Sequence, residues 1–449
     1  MVSWFSRIRE CDEELLVLME KELERQRSSI ELIPSENFTS EAVMQAMGSI
    51  LTNKYSEGYP KKRYYGGNEF IDQIEIIAEN RAKKLFNVEY ANVQPYSGSP
   101  ANMEVYLALC KPGDTIMGQS LTSGGHLTHG WNSSATGQLF KSVQYGVTED
   151  GYINIDEVRR LAEENKPKLI WVGSTAYVRK LPFKEFSEIA ESIGAYLAAD
   201  ISHISGLVIA GVHESPEKYV DVITTTTHKT LRGPRGAIIM ATKKGLEKDP
   251  DLPSKLDKSV FPGMQGGPHD NVVAAIAIAL KQASTQEFKV YANQIVFNAK
   301  TLARSLMDHG IKLVTNGTDN HMILADLTDI APGLGIFAQE ALDISGITLN
   351  KNTVPGERSS AFYPSGIRMG TPAVTSRGMK ETQMKQISEY ISNILEIIKD
   401  SRLPDTKEER LTYIKKFKED IKNNNSLLSI RSEVASLANS FPLYPEMNE

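Results

Sequence analysis

Cysteine is almost missing from this chain, which has only Cys11 and Cys110. Two thiols cannot build a disulfide framework or a cysteine zinc site, and their scarcity suits a reducing, cytosolic setting. No apolar run approaches the ~20 residues that a membrane-spanning helix needs, so no membrane partner is expected. A surplus of positive charge is missing too: 50 Lys and Arg face 56 Asp and Glu. There is thus no electrostatic case for nucleic acid as a partner. The stretch before Ser28 mixes Arg with Asp and Glu and has no contiguous apolar core, so neither a signal nor a transit peptide is expected. The sequons at Asn132 and Asn316 then carry no meaning. No internal repeat and no low-complexity tract is visible.

What is there is length enough for two domains, 449 residues, and one stretch on which the rest turns. Residues 221–236 read DVITTTTHKTLRGPRG. The β-branched run Val222 to Thr226 favours a strand, and Gly233, Pro234 and Gly236 force a turn just after His228 and Lys229. A lysine held at the end of a buried strand is suited to Schiff-base chemistry, because desolvation frees its amine.

Along the chain, residues 12–26 read as a charged amphipathic helix and residues 31–38 as a loop. Residues 53–67, NKYSEGYPKKRYYGG, form a second loop, too polar for core and too aromatic for a linker. Strands are expected at 90–93, 168–173, 196–199 and 222–226. Between them lie helices at 101–110, from a cap at Asp156 to Glu164, and at 183–193 with Gly194 as the stop. Such alternation argues for an α/β fold, a mostly parallel sheet with helices on both faces, whose ligands bind at the carboxyl ends of the strands. Asp200 and Lys229 both fall at such ends. A large domain over residues 1–285, including an N-terminal arm, and a smaller α/β domain over 286–449 are expected. The smaller one would hold strands at 312–314, 322–325 and 347–349 and a charged helical tail.

A carboxylate and a lysine at adjacent strand ends meet the needs of pyridoxal phosphate. Its aldehyde takes the lysine, and its ring nitrogen wants an anionic partner. The turn Ser97-Gly98-Ser99-Pro100 could cradle the phosphate at a helix start, and Gly266 and Gly267 are a second candidate. Arg368, among apparent turn residues, could fork onto a substrate carboxylate. His126 and His129 lie three apart, and His203 and His228 flank the key residues. A metal is not expected, since no nearby carboxylate or cysteine completes a ligand set around the histidines. His269 and His321 read as structural.

Together these motifs resemble the serine hydroxymethyltransferase family of fold-type I pyridoxal-phosphate enzymes, from ELIPSENF at 31–38 to FPLY at 441–444. The most specific are NKYSEGYP with RYYGG, TTTTHKTLRGPRG and SGIRMGTP. The resemblance implies reversible conversion of serine and tetrahydrofolate to glycine and methylenetetrahydrofolate. It implies Lys229 as the cofactor-bearing lysine, Asp200 on the pyridine nitrogen, His126 on the ring and His203 near its 3-oxygen. Thr175 and Thr226 would contact the cofactor, and His228 would join the catalytic set. Ser97, Gly98 and Ser99 would hold the phosphate, with Gly266 and Gly267 supplied by a neighbouring subunit. Arg368, helped by Ser35, would bind the substrate carboxylate. Tyr55, Glu57 and Tyr65 would reach in from a partner chain, Glu57 as the acid/base near the hydroxymethyl group. Tyr64, Leu121, Gly125, Leu127 and Asn352 would line the folate pocket. The assembly implied is a cytoplasmic homodimer with shared sites, a tetramer being the other possibility. Pro34, Tyr96 and Thr175 depart from the alanine, histidine and serine frequent there. A folate-independent aldolase of the threonine-aldolase type would share Lys229, Asp200 and Arg368.

Overall fold

The computed structural model describes residues 5–448, which fold into two compact units. One comprises Asn37–Val296 with Thr318–His321. The other takes the described residues up to Glu36, then Phe297–Gly317 and the chain from Met322 onward. The boundary falls inside the helix Gln286–Asp308.

The first unit is built on a seven-stranded sheet. From edge to edge the order is Tyr90–Asn92, Ala237–Ala241, Val222–Thr226, Tyr196–Asp200, Leu169–Gly173, Thr115–Gln119 and Lys141–Tyr145. Only Ala237–Ala241 runs against its neighbours; the other pairings are parallel. Helices cover both faces, so the strands Leu169–Gly173, Val222–Thr226 and Ala237–Ala241 are buried at every position. Ile170, Val172, Leu197, Ile223 and Ile238 enter one core, while Leu169, Trp171, Ala198, Val222 and Ile239 enter the opposite one. The period-two alternation of strand side chains thus feeds two cores at once.

Local chemistry sets the helix ends. Phe183–Ile193 buries Phe183, Phe186, Ile189 and Ala190 and stops at Gly194, whose φ of 72° is left-handed. The helix Ile155–Asn165 is capped by Asn154, not by Asp156 as its sequence suggested: the Asn154 side chain accepts the Glu157 N–H, and Asp156 lies in the first turn. The helix Gly98–Leu109 buries seven of its twelve residues and carries a carboxyl group inward. Glu104 is fully buried, and neither of its carboxyl oxygens has a hydrogen-bond partner. Burial pushes its pKa up to about 8, so it is a neutral acid near pH 7.

The second unit has a three-stranded antiparallel sheet, Met322–Asp326, Gly366–Gly370 and Asn350–Asn352. Its core includes Leu302, Phe337, Ile367, Met369, Ile387 and Ile391. The charged tail forms helices Lys407–Ile421 and Asn425–Asn439, which bury Phe417, Ile421, Leu427 and Val434. At the expected strand 312–314 there is only an isolated bridge at Leu313 followed by the 3-10 turn Val314–Asn316.

Arg377 ties this unit together. Its guanidinium donates to five carbonyls, those of Gln26, Arg27, Ser29, Ala438 and Phe441, at 2.6–3.1 Å. Those carbonyls end the helices Glu13–Ser28 and Asn425–Asn439, where orphan acceptors and the helix dipole favour a cation. Replacing Arg377 by Met leaves these acceptors buried and unpaired, with an expected cost of about 3 kcal/mol. Arg377→Lys should recover only part, since an ammonium has three donors without a planar fork. Thermal unfolding of the two variants checks this, and unchanged melting temperatures would refute the staple.

Candidate active site

Two adjacent parallel strands deliver the central residues. Tyr196–Asp200 ends on Asp200, and Val222–Thr226 runs beside it into the turn that carries Lys229. A cleft opens there, its roughly 290 Å³ of unfilled space continuous with solvent. Asp200, Thr226 and Lys229 line it with Gly98, His126 and His203, and with Thr175 and its neighbour Ser174. Two further lining residues, His129 and Ser202, had no role assigned from sequence.

Asp200 accepts four hydrogen bonds: from Asn102 Nδ2 at 2.9 Å, His129 Nε2 at 3.3 Å, and Ser202 N and Oγ at 3.0 and 2.6 Å. Burial alone would raise its pKa, but the His129 hydrogen bond and the electropositive surroundings that include Lys229 outweigh it. The carboxyl is held well below its usual range. The His129 ring in turn stacks on Trp171, 5.4 Å between centroids. His126 bonds Thr128 Oγ1 through Nδ1 at 2.7 Å, and burial drives its pKa down to about 4, so its ring is neutral.

At one end of the cleft is an anion cradle. Ser97 caps the helix Gly98–Leu109 without a side-chain bond, and among the described residues nothing accepts the Gly98 or Ser99 N–H. Gly98 is obligatory: a Cβ there would stand 2.7 Å from Thr226 Cγ2. Ser202 Oγ accepts the Thr226 N–H at 3.0 Å, leaving the buried Thr226 Oγ1 with no partner. Two open amides at a helix start beside an orphan hydroxyl suit a phosphate.

The turn of Lys229 is pinned from several sides. The Lys229 carbonyl accepts from Asn37 Nδ2 at 2.8 Å and from the Arg232 N–H at 3.1 Å. Arg232, at φ 57°, lies over the Tyr291 ring at 4.1 Å. Thr230 Oγ1 donates to the His203 carbonyl, and His203 Nδ1 lies 3.2 Å from His321 Nε2. His321 therefore backs a cleft residue. His228, beside Lys229, keeps a buried Nδ1 without a partner, and burial followed by the Lys229 charge pulls its pKa down to about 3.

The tyrosine-rich loop does not line this cleft. It contains the hairpin Gly58–Tyr59 with Lys62–Arg63, held by Arg63, which bonds Asp72, Glu75 and the carbonyls of Ser56 and Gly58. Tyr55, Tyr64 and Tyr65 are left exposed, at 57, 74 and 50% of their surface. Glu57 and Tyr55 pack instead beside Gly266 and Gly267 of the same chain. Gly125, whose Cβ would meet Gln119 O at 1.9 Å, lies with Leu121 and the exposed Leu127 in the loop that carries His126.

Within the second unit, Arg368 occupies the middle of the strand Gly366–Gly370 and donates from Nε to Asn350 Oδ1 at 2.9 Å. The flanking glycines had suggested a turn, but the backbone between them pairs on both sides. Loss of solvent lowers its pKa to about 10, which leaves it a cation. Asn352 lies on the neighbouring strand. The segment before Ser35 joins the same structure, as Gly370 N donates to Leu32 O at 2.7 Å.

Comparison with known proteins adds a second line. A family model described as serine hydroxymethyltransferase matches residues 8–391. A serine hydroxymethyltransferase of Acidothermus cellulolyticus is 57% identical over 378 residues, 84% of this chain and 87% of that protein. One of Campylobacter jejuni is 53% identical over 400 residues, 89% of this chain and 95% of that protein. The chain belongs to the serine hydroxymethyltransferase family. It is a fold-type I, pyridoxal-phosphate-dependent one-carbon transferase with tetrahydrofolate as co-substrate. No described helix is long and apolar enough to cross a membrane.

The expectation against a metal rested on a missing carboxylate, and that ground does not hold. The fold brings Asp200 within 4.8 Å of donor atoms of His126 and His129. Asp200 already accepts its four protein hydrogen bonds there. Sequence reading missed the contributions of His129, Asn102 and Ser202. Ser202, two residues after an aspartate, carried a turn signal; Asn102 carried none.

The lowered pKa of His228 has a consequence for stability. Its neutral form is favoured on folding, so its contribution is complete above the ordinary value of 6.5 and is lost as pH falls towards 3. Cofactor-free His228→Asn should therefore lose about 2 kcal/mol less stability than the parent between about pH 6.5 and 4. Urea titrations across that window measure the difference, and parallel curves would contradict it.

Proposed function

We propose that Lys229, Asp200 and Arg368 carry the serine–glycine interconversion, in a site completed by a second copy of the chain. The observation that carries this reading is the buried, ionised Asp200 beside the Lys229 turn, with an anion cradle at the same cleft. Pyridoxal phosphate, when bound, supplies an electron sink for the pair freed at the α-carbon. Lys229 would hold it through Nζ, and the amides of Gly98 and Ser99 with the hydroxyls of Ser97 and Thr226 would hold its phosphate. Asp200 would face the ring nitrogen and keep it protonated. His126, neutral, would lie on the ring without adding charge, while Thr175 and His203 would contact its edge.

Arg368, with Ser35, would fork onto the substrate carboxylate. Glu57 would exchange a proton with the hydroxymethyl oxygen, assisted by Tyr55 and Tyr65, and His228 would complete the catalytic set. Tyr64, Leu121, Gly125, Leu127 and Asn352 would line the folate side. Glu57, Tyr55 and the glycines 266–267 pack together without lining their own chain's cleft, and this supports a homodimer in which each copy completes the other's site. A cytoplasmic location belongs to the same reading, with Cys11 and Cys110 both free.

Lys229→Ala should lose multiple turnovers, by about 10³-fold or more. Arg368→Ala should raise the serine KM about 100-fold with a smaller effect on kcat. Steady-state assays of serine cleavage with and without tetrahydrofolate measure both. Full turnover in Lys229→Ala would sink the reading, and cleavage indifferent to tetrahydrofolate would favour an aldolase.

A further inference from the structure

Tyr96 is the residue that leads into the anion cradle, and it is bonded at both ends to another loop. Its N–H donates to Gln265 Oε1 at 2.8 Å, and its hydroxyl donates to the Gly267 carbonyl at 2.7 Å. Its ring lies flat on His269, 4.1 Å between centroids and 4° between planes. Gln265 returns a bond to the Gln94 carbonyl at 2.9 Å, so the two backbones are laced on either side of Tyr96. Burial, then the nearby Tyr55 phenol, raises the Tyr96 pKa, which keeps the hydroxyl a donor.

What that hydroxyl holds is the peptide against which the tyrosine-rich loop packs. A Cβ on Gly267 would meet the Tyr55 ring at 3.2 Å, and one on Gly266 would meet Glu57 Oε1 at 3.3 Å. Tyr55 in turn meets Tyr65 edge-on at 5.3 Å. A glycine pair has no side chain to fix its own orientation, so the Gly266–Gly267 amides point wherever their neighbours hold them. Tyr96 supplies a hydrogen bond at that point.

We infer that Tyr96 is a positioning residue acting in trans: its hydroxyl orients Gly266–Gly267, and through them Tyr55 and Glu57, for the active site of the other protomer. This rests on the shared-site reading above. Tyr96 is thus next in sequence to the cradle of its own site while serving the neighbouring one.

The test uses the holoenzyme and Tyr96→Phe, which deletes the hydroxyl and keeps the ring stack. The Tyr96→Phe homodimer should bind pyridoxal phosphate about 3- to 10-fold more weakly, the range one neutral hydrogen bond commands, with a lower kcat. Values equal to the parent's overturn the inference. Mixed dimers then separate trans from cis. Pairing Tyr96→Phe with Lys229→Ala, each carrying its own tag, leaves one competent site, formed by Lys229 of the first chain and the loops of the second. Those loops are held by an intact Tyr96, so that site should show parental cofactor affinity and kcat. If the defect persists, Tyr96 acts on its own cradle and the inference falls. A control pairing of Glu57→Gln with Lys229→Ala should regain activity, and if it stays inactive, the shared-site reading fails and takes this inference with it.

Discussion

The carboxylate of Asp200 is the constraint to which the rest of the site conforms. A buried anion is costly unless several donors replace its water, and its four donors come from three residues, each in a different part of the cleft. Asn102 belongs to the helix that opens with the anion cradle, and Thr224 Oγ1 donates to its other end at 2.7 Å. Ser202 passes the connection on to the Thr226 N–H. His129 ties it to Trp171 in the core and lies edge-on to His126. Satisfying one charge therefore sets the helix, the strand end and the ring that surround the cleft.

A second buried charge organises the exposed part of the unit. Glu75 accepts from Arg63 and from Gln94, and Gln94 also donates to the Gly58 carbonyl. Gln94 begins the turn into the cradle, so the polar lace from Arg63 through Gln94 and Gln265 to Tyr96 makes the tyrosine loop, the glycine loop and the cradle a single framework. Desolvation raises the Glu75 pKa and the Arg63 charge opposes it only in part.

How much of this could be read in the sequence depended on whether the determinant was local. The strand Val222–Thr226 and the stop at Gly194 were legible because β-branching and a positive φ act within a few residues. Arg368 was misplaced because glycines that mark turns also allow close approach in a sheet: a Cβ on Gly366 would meet Val354 Cγ1 at 2.5 Å. The strand Lys141–Tyr145 is a half-exposed edge with polar residues, and it carries little of the apolar signal of a central strand. The missing metal-site carboxylate was a question of distance along the chain. Asp200 is 71 residues from His129, and no spacing rule spans that. Asp156 was mistaken for a cap because Asn154, an equally good capper, stands two residues earlier.

Glu104 carries a consequence for the folding reaction itself. Its carboxyl ionises in water near neutrality but enters the core only as the acid. The collapsing chain therefore withdraws close to one proton from its buffer at this position, and the unfolding chain returns it. The measured heat of unfolding then includes the buffer's own enthalpy of ionisation, and Tris and phosphate will report different values for the same protein.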